Sequence, residues 1–227
     1  GAEAVAVRRE ALSSPDARIA LSPFQRRNMM LENARDLAAL GRLEEADDAY
    51  DALIETFRGS LDEIGGIVNI EFERIDRVRA HGLDETDPRR LEMLESLWRR
   101  PDLEAFVGAR VKVAYRAARL WIRSSQERSR DRGLSLLLEI IPVIENAWDP
   151  QGRTNEERAK IGLIHRQALL EAAQELRFDG QIEQAAALLI SYLDHYPDYP
   201  NAEIVRRRLS RLFEEGESEP APEPATR

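Results

Sequence analysis

"FDGQIEQAAALLISYLDHYPDYPNAE", Phe178 to Glu203, reads as the end of one helix, a glycine, a second helix and a double Tyr-Pro stop. Glycine can take the left-handed conformation that closes a helix and reverses the chain. Alanine at Ala185, with Ala173 on the helix before the glycine, leaves room for two antiparallel helices to approach closely, while larger residues fill the groove beside them. Either this is a lone helical hairpin or it is one unit of a repeat, and a repeat would imply a binding surface.

Sliding the stretch along the chain finds a partner at an offset of 139 residues. Met29 to Phe57, "MMLENARDLAALGRLEEADDAYDALIETF", aligns with Ala168 to Tyr196. Met30 matches Leu169, Ala34 matches Ala173, Leu37 matches Leu176, and Gly41 matches Gly180. Beyond the glycine, Leu43 matches Ile182, Ala46 matches Ala185, Tyr50 matches Leu189, and Leu53 matches Tyr192.

These positions resemble the tetratricopeptide repeat (TPR) family, in which a small and a large residue precede a turn glycine, followed by an alanine and an aromatic. Pro197 stands where that family commonly places its terminating proline; the first copy has Arg58-Gly59 there instead. The offset is close to four periods of about 34 residues. The hairpins between the two copies do not keep register, because the residue 34 positions after Gly41 is Ile75, inside an apparent helix. The resemblance implies a divergent, TPR-like right-handed superhelix of about four antiparallel hairpins plus a C-terminal cap helix. The "YPDYPNAE" ending followed by an Arg-rich helix is similar to bacterial envelope TPR proteins of the outer-membrane assembly and Tol-Pal accessory type, which implies a periplasmic or envelope location, with the cytoplasm as the alternative.

Helix punctuation extends the all-α reading to the rest of the chain. Ser22-Pro23 with Gln25, and Thr154 with Glu157, are capping-box starts. Asp87-Pro88 and Pro101 mark two further starts. Stops or turns are expected at Gly41, His81 to Pro88, Ser129 to Gly133, Trp148 to Gly152, Gly180, and Pro197 to Pro200. Expected helix pairs are 23–40 with 43–58, 61–80 with 88–99, 102–128 with 133–147, and 154–178 with 181–196, followed by a last helix over 201–214. On the third pair, Leu103, Val107, Val111, Ala114, Ala118 and Trp121 recur at helical spacing and form a face to bury. The domain reading is a linker or short helix at 1–21, a TPR-like domain at 22–213, and a disordered Pro/Glu-rich tail at 214–227.

The composition removes several function classes. The 227 residues carry a formal net charge of −9, which argues against a nucleic-acid partner with its expected basic footprint. With no cysteine, thiol catalysis and cysteine metal sites are excluded. No apolar run reaches the roughly 18 residues of a membrane span. Lysine occurs only at Lys112 and Lys160, so the basic residues are nearly all arginine, a bias that fits a GC-rich source. No phosphate loop, nucleophile elbow or H-E-x-x-H motif is present. His81, His165 and His195 read as helix-end or surface residues, and no catalytic, cofactor or metal-ligating residue is assigned.

One charge feature points to binding. Lys112, Arg116, Arg119 and Arg123 follow one another at spacings of four, three and four, so they fall on one helix face, with Tyr115 on the same helix. From Asp102 to Arg132 eight basic residues stand against four acidic ones. The stripe at Lys112, Tyr115, Arg116, Arg119 and Arg123 could receive an acidic segment or C-terminal carboxylate of a protein partner. Its arginines could instead pair with neighbouring helices or sit in water. The leading expectation is a non-enzymatic scaffold that assembles or positions a multiprotein complex. The alternatives are a structural subunit buried in a large assembly, or a small helical enzyme or ligand-binding protein with a pocket between the middle helices holding His165.

Overall fold

The computed structural model describes residues 1–62, 66–104, 106–126, 128–146 and 155–218. These residues are helical or in turns, and no strand occurs among them. The chain divides into two compact units, Gly1–Ser124 and Ser125–Arg227.

The first unit is organised around the hairpin of α3 (Pro23–Ala39) and α4 (Leu43–Asp62). Ser22 caps α3 as expected: its hydroxyl accepts from the Gln25 amide at 3.3 Å, and the Gln25 side chain accepts from the Ser22 amide at 2.9 Å. α1 (Ala2–Ser13) packs on α3, burying Val5 and pairing Arg8 with Asp36. The first residues are therefore a docked helix, followed by the short α2 (Pro15–Ala20). α5 (Gly66–Arg74) packs on α4 and continues into a single π-helical turn, Ile75–Arg79, closed by the Ala80 amide donating to the Ile75 carbonyl at 2.8 Å. α6 (Pro88–Trp98), capped by Asp87, packs against α7 (Val107–Arg123).

In the second unit α9 (Asn155–Phe178) and α10 (Ile182–His195) form the hairpin. α8 (Ser129–Asn146) packs on α9, and α11 (Ala202–Ser218) packs on α10. Each hairpin thus has one preceding helix on its first arm and one following helix on its second.

The two hairpins close in the same way. Gly41 and Gly180 both have φ +73°, and the residue after each donates back to the matched leucine, Arg42 to Leu37 at 3.0 Å and Gln181 to Leu176 at 2.8 Å. The glycine amides donate to Ala38 and Arg177, both at 3.0 Å, completing a Schellman closure in each copy. Ala34, Leu37, Ala46, Tyr50 and Leu53 are buried in one hairpin, as are Ala173, Leu176, Ala185, Leu189 and Tyr192 in the other. The copies part at their ends. Pro197 follows the end of α10, whereas α4, which has no proline, kinks at Phe57 and runs on to Asp62.

The expected middle of the chain needs correction. The helix expected over 102–128 is a 3₁₀ turn at Pro101–Leu103 followed by α7, which stops at Arg123. Ser129 to Gly133 starts α8 instead of ending a helix, and the chain turns before it at Arg128, with φ +61°. α7 therefore has α6 as its partner and α8 has α9, in place of the expected 102–128 with 133–147. The face read on the third pair is buried apart from the half-buried Val107. α11 extends to Ser218, past the expected boundary at 214. The turn at Trp148 to Gly152, the Thr154–Glu157 cap and the tail from 219 lie outside the described residues.

A Cβ at Gly41 or Gly180 would meet no atom within 4 Å, so the constraint there is backbone conformation alone. Replacing either glycine with alanine should lower stability by about 1 kcal/mol. Gly59→Ala, on an exposed helical turn with ordinary φ, should be neutral or stabilising. Urea unfolding of the three variants checks the contrast, and equal losses at all three sites would refute it.

Candidate functional site

The stripe expected on α7 is only partly open. Lys112 and Arg123 are exposed, about 16 Å apart along the axis at 1.5 Å per residue. Between them, Arg116 lies over the Phe72 ring at 4.8 Å and pairs with Asp76 at 3.4 Å and Glu85 at 3.9 Å. Tyr115 is buried, with the Arg119 guanidinium 5.7 Å above its ring. The middle of the stripe is thus tied to acidic and aromatic groups of its own unit, and its two ends face water.

A charged cleft in the same unit went unread in the sequence. Arg74, at the end of α5, is 2% exposed, yet its guanidinium binds both Asp47 and Asp51 of α4. Bidentate pairing of this kind is what allows an arginine to be buried. Hydrogen bonding from Arg74 holds the Asp47 carboxyl below its ordinary range. Beside the pair, Arg100 donates to buried Glu71 at 2.7 Å and to Asp102 at 2.7 Å. Asp51, Glu55, Arg58, Arg74, Arg79 and Arg100 line a cavity of about 570 Å³. The π turn accounts for two of these. Residues five apart on an α-helix diverge by about 140°, whereas i to i+5 winding brings them round to nearly one side, so Arg74 and Arg79 both approach Asp47. The one legible signal was the pair Asp47 and Asp51, four apart on the helix that carries Ala46, Tyr50 and Leu53.

In the second unit the residues of the Tyr-Pro stretch gather around His165. This histidine was expected at a helix end or on the surface, and it is instead completely buried on α9. Its Nδ1 is 2.8 Å from the Tyr196 hydroxyl, and its Nε2 is 3.5 Å from a Glu145 carboxylate oxygen. The His195 ring meets it edge-on at 5.1 Å. Ser191 donates to the same Glu145 oxygen at 3.2 Å. Arg166, the next residue along α9, lies 4.0 Å over Tyr199 and 5.1 Å over Tyr196. Burial pushes the Tyr196 phenol up to about 12.

Chemically, the cluster sets the Glu145 carboxylate beside the His165 imidazole, with the His195 ring against it. Among the described residues no group of three or more histidine and acidic side chains could hold a metal ion. No helix among them is long and apolar enough to cross a membrane. Compared with protein families, with curated proteins and with solved structures, the chain has no match.

Burial pushes the His165 imidazole below its ordinary range; Glu145 opposes this, while His195 and Arg166 add to it. The unfolded chain therefore takes up a proton near pH 6.5 that the folded chain refuses, and stability falls as pH drops below that point. The slope is at most about 1.4 kcal/mol per pH unit for this one proton. Urea unfolding at pH 7.5 and 5.5 should show the decline, shallower in His165→Gln. An unchanged slope in the variant would assign the pH dependence to other groups.

Proposed function

We propose that the chain is a divergent TPR-like helical-repeat protein that acts as a non-enzymatic scaffold, binding a protein partner and positioning it within a complex. The observation that carries this reading is the pair of hairpins 139 residues apart, with the same left-handed glycine, the same back-bond to a matched leucine, and the same buried positions. Units that repeat in this way cannot bury their faces alone, and stacking them leaves extended surfaces suited to other proteins. The "YPDYP" hand-over from α10 to α11 supports an envelope location by resemblance.

On this reading the partner is met by charge as well as shape. The two open ends of the α7 stripe, Lys112 and Arg123, are the stripe residues left to receive an acidic segment. A photo-crosslinking amino acid at position 112 or 123, irradiated in living cells, should yield a discrete protein adduct. Reversing the charge of the other end (Arg123→Glu or Lys112→Glu) should weaken that adduct severalfold without changing the melting curve, because neither side chain is buried. No adduct from either position removes the stripe as a contact. Adducts of unchanged yield after charge reversal would make it a bystander.

A further inference from the structure

Arg166 lies over two tyrosine rings and pairs with no carboxylate among the described residues. Tyr196 and Tyr199 hold it at 5.1 and 4.0 Å, and both belong to the hand-over between α10 and α11. An arginine held over aromatic rings can still offer the N–H groups of its planar fork to the two oxygens of a carboxylate. Two other arginines stacked on rings already hold such a group: Arg116, over Phe72, has Asp76, and Arg130, over Phe178, has Glu175. Arg166 has no carboxylate partner among the described residues, although Asp194 and Asp198 flank its two rings in sequence.

The surroundings are short of acceptors. The Tyr192 ring packs 5.4 Å from Tyr196, and its hydroxyl is buried with no hydrogen-bond partner among the described residues. Glu145, the carboxylate of this cluster, is engaged by Ser191 and His165. The site also has an open side: Tyr199 is 38% exposed, and Leu163, three residues before Arg166 and so on the same helix face, is 47% exposed. A charged edge beside an apolar shelf suits a protein segment better than a free inorganic ion.

We propose that Arg166, stacked on Tyr196 and Tyr199, is a recognition site for an acidic side chain in a segment of the protein partner. The inference rests on the scaffold reading and assigns the acidic contact to the second unit, independently of the α7 stripe.

The test titrates the full chain, labelled with ¹⁵N, with three probes: acetylated tetraglutamate amide, acetylated tetraglutamine amide and inorganic phosphate. Tetraglutamate should saturably shift the Arg166 Nε–H resonance and the backbone amide resonances at positions 166 and 199, which remain readable in every variant, and tetraglutamine should not. Arg166→Lys, which keeps the charge and loses the planar fork, should weaken binding at least tenfold, and Tyr199→Ala should weaken it as well. Tyr199→Phe, which keeps the ring, should leave it unchanged. Circular dichroism confirms that each variant is folded. Binding unaffected by Arg166→Lys, or no saturable shift with tetraglutamate, overturns the proposal. So does a phosphate effect of equal size, which would make the site a general anion site. Binding lost in Lys112→Glu but kept in Arg166→Lys also overturns it while leaving the scaffold reading intact, and that reading is judged separately by the crosslinks.

Discussion

A helix can reverse within two residues only if the chain passes through a left-handed backbone conformation, and Gly41 and Gly180 supply it at the same φ of +73°. Everything characteristic of the two hairpins follows from that turn. It brings the two arms together, and the alanines at Ala34 and Ala46, and at Ala173 and Ala185, are buried. It also sets which residues fall inward. Tyr50 in one copy faces the role of Leu189 in the other, and Leu53 that of Tyr192, so aromatic and aliphatic volume are exchanged between adjacent layers of an otherwise constant frame.

What could be read from the sequence was whatever is written locally. Ser22 with Gln25, Asp87 before Pro88, and the two glycines act through neighbours a few residues away, and the structure has each where expected. The core positions were legible because two copies could be compared. The boundaries around α7 were not, because Pro101 is as good a start for a 3₁₀ turn as for a helix, and Arg128 adopts a positive φ that its residue type does not announce. Arg74 and His165 were missed for another reason: each is buried by groups distant in sequence, Asp47 and Asp51 for the one, Glu145 and Tyr196 for the other. Of the expected site, the helix face at Lys112 to Arg123 was readable, but the capture of Arg116 by Asp76 and Glu85 depends on packing that no spacing encodes.

The arginine bias noted as composition has a structural counterpart. Arg35, Arg74 and Arg100 each engage two acidic side chains at once, which a lysine ammonium does less well because it lacks a planar fork. In a chain with more acidic than basic residues, these bridges join helices through charge where alanine-rich faces bury little area. The same property makes a stacked arginine without an internal acid conspicuous. Arg116 and Arg130 lie over rings and hold an acid, whereas Arg27 and Arg166 lie over rings without one among the described residues.

The π turn at Ile75–Arg79 is in effect one residue too many for an α-helix, and it begins at the position where a 34-residue period counted from Gly41 breaks down. Helical wheels and repeat templates both assume constant angular advance, and past this point any such template is out of phase by about 100°, the rotation of a single residue. Deleting one residue would restore the α-helical phase and swing Arg79 away from Asp47, so the charge lining the cleft depends on that extra residue.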